Sequence, residues 1–107
     1  KLFLVVGTPG GSTIITSVFQ TIVNVIEHGM TMQEAVNAYK FHHQWLPDKV
    51  LYEEGAFTSE VQTTLRNKGY HLELQGTLGR MDCIRILPDG RLEGASDPRA
   101  DNTSIGY

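Results

Sequence analysis

An α+β layered domain is the fold this sequence predicts, and three observations carry the prediction. A continuous apolar run, Lys1-Leu-Phe-Leu-Val-Val6, reads as a strand and leads through a glycine-rich bend into a long stretch with helical apolar spacing. Further helix and strand signals follow, mixed along one chain in the order strand, long helix, short helix, strand, helix, strand, hairpin. Pro88-Asp89-Gly90 is a turn tripeptide between two short strand-like runs, Met81 to Leu87 and Arg91 to Ala95, and closes them into the hairpin.

Each element has a local reason. The first run does not alternate, which predicts a central strand covered on both faces. After the bend, Ser12 or Thr13 is the expected N-cap of a mostly buried helix. Its apolar positions are Ile15, Val18, Phe19, Ile22 and Ile26, widened by Ile14, Val23 and Val25. Glu27-His28-Gly29 ends it, because Gly29 is free to turn left-handed after the last turn. Thr31-Met-Gln-Glu34 has the spacing of a capping box and opens a short helix predicted to run to about Lys40. Phe41 to Pro47 lacks a helical period and should be extended, since Pro47 biases Leu46 away from helix. Lys49 to Glu53 alternates as a strand. Thr58 or Ser59 caps a third helix with Val61 and Leu65 inward, ended at Gly69, and Tyr70 to Leu74 is a short strand. Ser96 to Tyr107 reads as loop.

Composition excludes several functions. The 107 residues fit one domain and, at 40% hydrophobic, support a modest core. Nine Lys and Arg against twelve Asp and Glu give a net charge of −3, with no like-charged run, so there is no electrostatic footprint for nucleic acid. The longest apolar stretch, Leu2 to Val6, is far too short to span a membrane. A single cysteine, Cys83, rules out an internal disulfide within these residues. The start of the chain inside a strand, without a polar lead-in, reads as a piece of something longer.

The chemistry-bearing candidates are few. GTPGGS lies between a strand and a helix, where helix N–H groups are unpaired and partly positive. It lacks the spacing of a dinucleotide fingerprint or a P-loop. Consecutive N–H groups at Gly10 and Gly11 could face an oxyanion, because no Cβ obstructs the approach; a tight strand-to-helix connection is the plainer account, and both stay open. His42 and His43 are adjacent, so on extended backbone they face opposite ways and cannot jointly grip one metal; hydrogen-bonded packing histidines are favoured, and no metal or other cofactor is expected. His28 fits a helix C-terminus, and Trp45 a core or interface plug. No serine sits in a nucleophile elbow, and Cys83 has no signature of a catalytic pair. Ser96-Asp97-Pro98-Arg99 reads as a loop stapled by a charged pair.

Taken together, GTPGGST with its following helix, EAVNAYKFHHQWLPD and GASDPRADNTSIGY resemble the C-terminal part of the small subunit of the gamma-glutamyltransferases, also called gamma-glutamyltranspeptidases or glutathione hydrolases. The resemblance spans residues 1–107 and rests on three motifs in order. It implies an N-terminal nucleophile hydrolase with a layered αββα fold, made as a precursor that cuts itself into large and small subunits. It implies that Gly10 and Gly11 match the glycine pair of the oxyanion hole, each N–H contributing about 3 kcal/mol of transition-state stabilisation. A threonine hydroxyl, freed by the cut, would attack the gamma-glutamyl amide and pass the acyl group to water, an amino acid or a peptide. That threonine and the serine pair that holds the substrate α-carboxylate are expected upstream of Lys1. The implied partners are the remainder of the small subunit, the large subunit and a gamma-glutamyl small molecule, and the implied location is periplasmic or extracellular.

One departure is local. Where the family commonly has Ala-Pro-Arg before its His-His-Gln run, this chain has Ala38-Tyr39-Lys40. Without the proline the short helix should extend by a residue or two, and lysine cannot reproduce the planar fork of arginine. Two other readings remain: a related acylase or poly-gamma-glutamate processing enzyme of the same fold, and a non-catalytic module that binds a small anion at GTPGGS.

Overall fold

The structure is a computed structural model that describes residues 2–99. Its elements run β1 (Leu4–Gly7), a single 3-10 turn (Gly11–Thr13), α1 (Ile14–Ile26), α2 (Met32–Asn37), β2 (Phe41–His42), β3 (Val50–Glu53), α3 (Ser59–Asn67), β4 (Leu72–Gln75), β5 (Asp82–Ile86) and β6 (Leu92–Ser96). The mixture is α+β, as expected. The described residues fall into two compact units, one from residues 2–38 and 79–99, the other from Tyr39–Leu78.

In the first unit β1, β5 and β6 form an antiparallel sheet in the order β1-β5-β6, with Val6 opposite Cys83 and Cys83 opposite Ala95. The expected hairpin joins β5 to β6: the Gly90 N–H donates to the Leu87 carbonyl at 2.8 Å, and Gly90 has φ 88°. Val25, Met32, Ala35, Val36, Met81, Cys83 and Ala95 make the core, with Leu4, Val6, Val18 and Met30 packed against it. Among the described residues β1 is at the edge of this sheet and not at its centre, and its burial alternates. Leu4 and Val6 reach the core while Val5 faces outward, so within the described residues one face of the run is covered.

α1 departs further from expectation. Its buried stripe is Ser17, Thr21 and Val25, while Ile15, Phe19 and Ile26 are 78%, 64% and 57% exposed. Spacing of i, i+4, i+8 puts the three buried residues on one face, and their small side chains let the helix lie close to its neighbours. The Thr21 hydroxyl is satisfied by the Ser17 carbonyl at 2.9 Å. The helix ends as predicted, with Gly29 at φ 63°.

α2 opens on the expected capping box. The Glu34 N–H donates to Thr31 Oγ1 at 3.2 Å, and the Thr31 N–H to Glu34 Oε1 at 2.8 Å. These bonds hold the exposed Glu34 carboxyl below its usual value, the backbone bond from Thr31 first and the Thr31 side chain second. The helix stops at Asn37, short of Lys40, and Ala38 is already extended at ψ 137°. A helix leaves its last carbonyls without internal partners, and here the Arg99 guanidinium takes those of Val36 and Ala38, both at 3.0 Å. The missing proline has not lengthened the helix, and the carbonyls at its end are satisfied by a distant side chain.

In the second unit β2, β3 and β4 form a sheet in that order, β2 antiparallel to β3 and β3 parallel to β4. Parallel neighbours need a crossover, and α3 supplies it. Thr58 caps α3 by accepting the Val61 N–H at 3.2 Å, as expected. Leu65 packs on the Val50, Tyr52 and Leu72 core with Ala56 and Phe57, whereas Val61 is exposed. The buried Glu53 carboxylate accepts the N–H groups of Lys40 at 2.7 Å and Leu78 at 2.9 Å, which ties the two ends of this unit to one side chain. Trp45 is not a core plug: it is 75% exposed on a bend at φ 73°, next to the cis Leu46–Pro47 bond. Lys49 pairs with Glu73 at 2.7 Å, and that hydrogen bond, then the lysine's charge, holds the Glu73 carboxyl low. Among the described residues no helix is long and apolar enough to cross a membrane.

Candidate functional site

The bend between β1 and α1 is built from its glycines. Gly10 has φ 139° and Gly11 φ 60°, values that L side chains rarely adopt. A Cβ on Gly10 would lie 2.7 Å from Thr13 Oγ1, whereas one on Gly11 would meet nothing within 4 Å. Gly10 is therefore fixed by contact and by conformation, Gly11 by conformation alone. Both are exposed. Neither N–H donates a hydrogen bond to a described residue.

The carbonyls of the bend are occupied where its amides are not. Thr8 Oγ1 donates to the Pro9 carbonyl at 2.8 Å and accepts the Arg80 N–H at 2.7 Å. Thr13 Oγ1 donates to the Gly10 carbonyl at 2.9 Å, and the Thr13 N–H reaches the same oxygen at 3.2 Å. Neither Ser12 nor Thr13 caps α1 in the ordinary way, since the Thr13 hydroxyl turns back to Gly10 and does not go forward to the helix amides. The bend is braced from below by Gly79 at φ 78°, where a Cβ would lie 3.1 Å from Ser17 Oγ and 3.3 Å from Thr8 Oγ1. These two N–H groups, without an acceptor among the described residues, precede the positive end of the thirteen-residue α1.

Sequence reasoning singled out Gly10 and Gly11 but not Thr8, Thr13 or the Gly79-Arg80 segment. A threonine on either side of a glycine pair is a weak signal, because its hydroxyl can bond several nearby backbone groups.

The other candidates have local partners or places in a core. His42 is buried with Nε2 2.8 Å from Gln44 Oε1, and His43 Nε2 is 3.2 Å from Asp48. Among the described residues no group of three or more His, Cys, Asp or Glu side chains could hold a metal ion. Cys83 is buried in the core. Asp97 and Arg99 form the expected staple at 2.8 Å. The rest of that motif, from residue 100 onward, lies outside the described residues.

Comparison with known proteins agrees with the motifs. The family model described as Gamma-glutamyltranspeptidase matches residues 1–107. The glutathione hydrolase proenzyme of Escherichia coli is 47% identical over 108 residues, covering 100% of this chain and 18% of the relative. The Acylase ACY 1 proenzyme of Pseudomonas sp. (strain V22) is 37% identical over 106 residues, covering 98% of this chain and 18% of the relative. Among solved structures, a mutant of the Helicobacter pylori gamma-glutamyltranspeptidase superposes with a TM-score of 0.89 at 44% identity, over 94% of this chain and 55% of that one. The chain thus spans about a fifth of the curated relatives' length, and its fold is that of part of an N-terminal nucleophile hydrolase. Matched along its whole length by the family model, the chain belongs to the gamma-glutamyltranspeptidase family.

Proposed function

We propose that this chain is part of an enzyme that cleaves gamma-glutamyl amide bonds and passes the gamma-glutamyl group to water, an amino acid or a peptide, and that it contributes the oxyanion hole. The observation that carries this reading is the adjacent pair of N–H groups on the exposed residues Gly10 and Gly11, which have no acceptor among the described residues. A threonine hydroxyl from polypeptide outside these 107 residues adds to the amide carbonyl, its proton passing to the free α-amine of that threonine. As the carbonyl oxygen becomes negative, the two N–H groups meet it, and a dipole already in place costs no reorganisation at the moment of reaction. Collapse of the tetrahedral intermediate expels the amine, which takes the proton, and leaves an ester to the threonine. Water or an acceptor amine then repeats the sequence and releases the gamma-glutamyl group. The nucleophile and the groups that hold the glutamyl moiety belong to the rest of the small subunit and to the large subunit.

The test is release of the aniline from a gamma-glutamyl anilide by the intact protein and by its Gly11→Val variant. A β-branched residue is incompatible with φ 60°, so the variant turns the N–H away without any contact for its side chain to clash with. Turnover should fall about a hundredfold or more, with KM little changed. Unchanged turnover rejects the reading. The acylase relative favours a second reading, in which the same bend serves an acyl amide without the glutamyl α-amino and α-carboxylate groups. Faster turnover of such an amide than of the gamma-glutamyl anilide selects it.

A further inference from the structure

We infer that Thr8 and Thr13 are positioning residues for the oxyanion hole, each holding one of the two peptide units whose N–H groups face the reacting oxygen. The inference rests on the reading of Gly10 and Gly11 given above. A peptide unit is planar, so fixing its carbonyl fixes the direction of its N–H. The N–H of Gly10 belongs to the same plane as the Pro9 carbonyl, and that carbonyl accepts the Thr8 hydroxyl at 2.8 Å. The N–H of Gly11 belongs to the same plane as the Gly10 carbonyl, and that carbonyl accepts the Thr13 hydroxyl at 2.9 Å and the Thr13 N–H at 3.2 Å. The correspondence is one hydroxyl to one donor.

Both sides of the arrangement are anchored. Thr8 Oγ1 accepts the Arg80 N–H at 2.7 Å, so its own proton has one direction left and points at Pro9. Hydrogen bonds then run in one sense, from the Arg80 amide through the Thr8 hydroxyl and the Pro9–Gly10 peptide to the oxyanion. Such a series polarises the amide and makes its N–H a stronger donor. Thr13 stands at the start of α1, where its Oγ1 occupies the space a Gly10 Cβ would need. The same atom that excludes a side chain at Gly10 thus orients the donor of Gly11.

The experiment uses the intact, processed protein and measures kcat and KM for gamma-glutamyl anilide hydrolysis, per mole of processed enzyme, in Thr8→Val, Thr8→Ser, Thr13→Val and Thr13→Ser. Gly11→Val serves as reference, and each variant's melting curve is recorded. Loosening a donor acts on the transition state, so each valine variant should lose about tenfold in kcat with KM within about twofold. Each serine variant, which keeps the hydroxyl, should stay near wild type. Alanine variants read the same loss if valine prevents folding. Wild-type kcat in the valine and alanine variants, with Gly11→Val impaired, overturns this inference and leaves the proposed function standing. Serine variants as impaired as valine ones also overturn it, because the hydroxyl is then not what acts. Full turnover in Gly11→Val rejects the proposed function itself and this inference with it.

Discussion

The Arg99 guanidinium lies 2.8 Å from the Asp97 carboxylate, with the two side chains 8% and 0% exposed. Asp97 also accepts the Met81 N–H at 2.7 Å through its other oxygen, and Arg99 reaches the Val36 and Ala38 carbonyls at the end of α2. The pair is therefore a cross-link between the hairpin and the helix, with its charges satisfied by backbone. Removing one partner strands the other charge out of water, so Asp97→Ala and Arg99→Ala should each destabilise the protein by about 3–5 kcal/mol in urea unfolding. Arg99→Lys should also destabilise, since one ammonium cannot replace the fork at both carbonyls and the carboxylate. Wild-type unfolding midpoints for the alanine variants would show that the cross-link carries no stability.

The capping box predicts a pH dependence. Bonds from Thr31 lower the folded-state value of Glu34, so the unfolded chain binds its proton first as pH falls. The contribution is complete above the ordinary carboxylate range and is lost as pH drops through the lowered folded value. Melting curves recorded downward from pH 7 should show Glu34→Gln lacking this part of the acid-side decline that wild type displays. Thr31→Ala should cost about 1 kcal/mol at neutral pH.

Gly79 is the position behind the bend where substitution should be felt at a distance. With φ 78° and only 3.1 Å between a Cβ and Ser17 Oγ, Gly79→Ala combines backbone strain with a contact that Ser17 or Thr8 must relieve. A loss of about 1–3 kcal/mol is expected in unfolding experiments. Because Thr8 is one of the displaced neighbours, activity should fall with stability. A Gly79→Ala protein with wild-type melting and turnover would mean the bend is not braced from this side.

Exposed apolar side chains on α1, among them Ile15 and Phe19, predict the behaviour of the isolated 107 residues. Such a face drives association in water, so light scattering should detect oligomers or aggregates. Ile15→Gln with Phe19→Gln should shift the distribution toward monomer. A monodisperse monomer of the unmodified chain contradicts the prediction.

What could be read from the sequence was whatever local chemistry decides. Thr31 and Glu34, Thr58, Gly29 and the Pro88-Asp89-Gly90 turn each act within a few residues, and each stands where its side chain or backbone freedom requires. What could not be read depends on distant partners. Periodicity showed that α1 has an apolar face, but not that the described residues would pack along Ser17, Thr21 and Val25, with Val18 at the edge of the contact and Ile15 and Phe19 left exposed. The carbonyls at the end of α2 find their partner in Arg99, sixty-two residues beyond Asn37. At the bend, glycine spacing announced unusual backbone, while the roles of Thr8 and Thr13 depend on which carbonyl each hydroxyl meets, and spacing does not carry that information.

The most direct measurement is a crystal structure of the intact protein with a gamma-glutamyl phosphonate bound, whose phosphonyl oxygen stands in for the oxyanion. The account predicts that oxygen at about 2.7–3.1 Å from the backbone nitrogens of both Gly10 and Gly11. An oxygen held by other groups, with those two nitrogens out of hydrogen-bond reach, would contradict it.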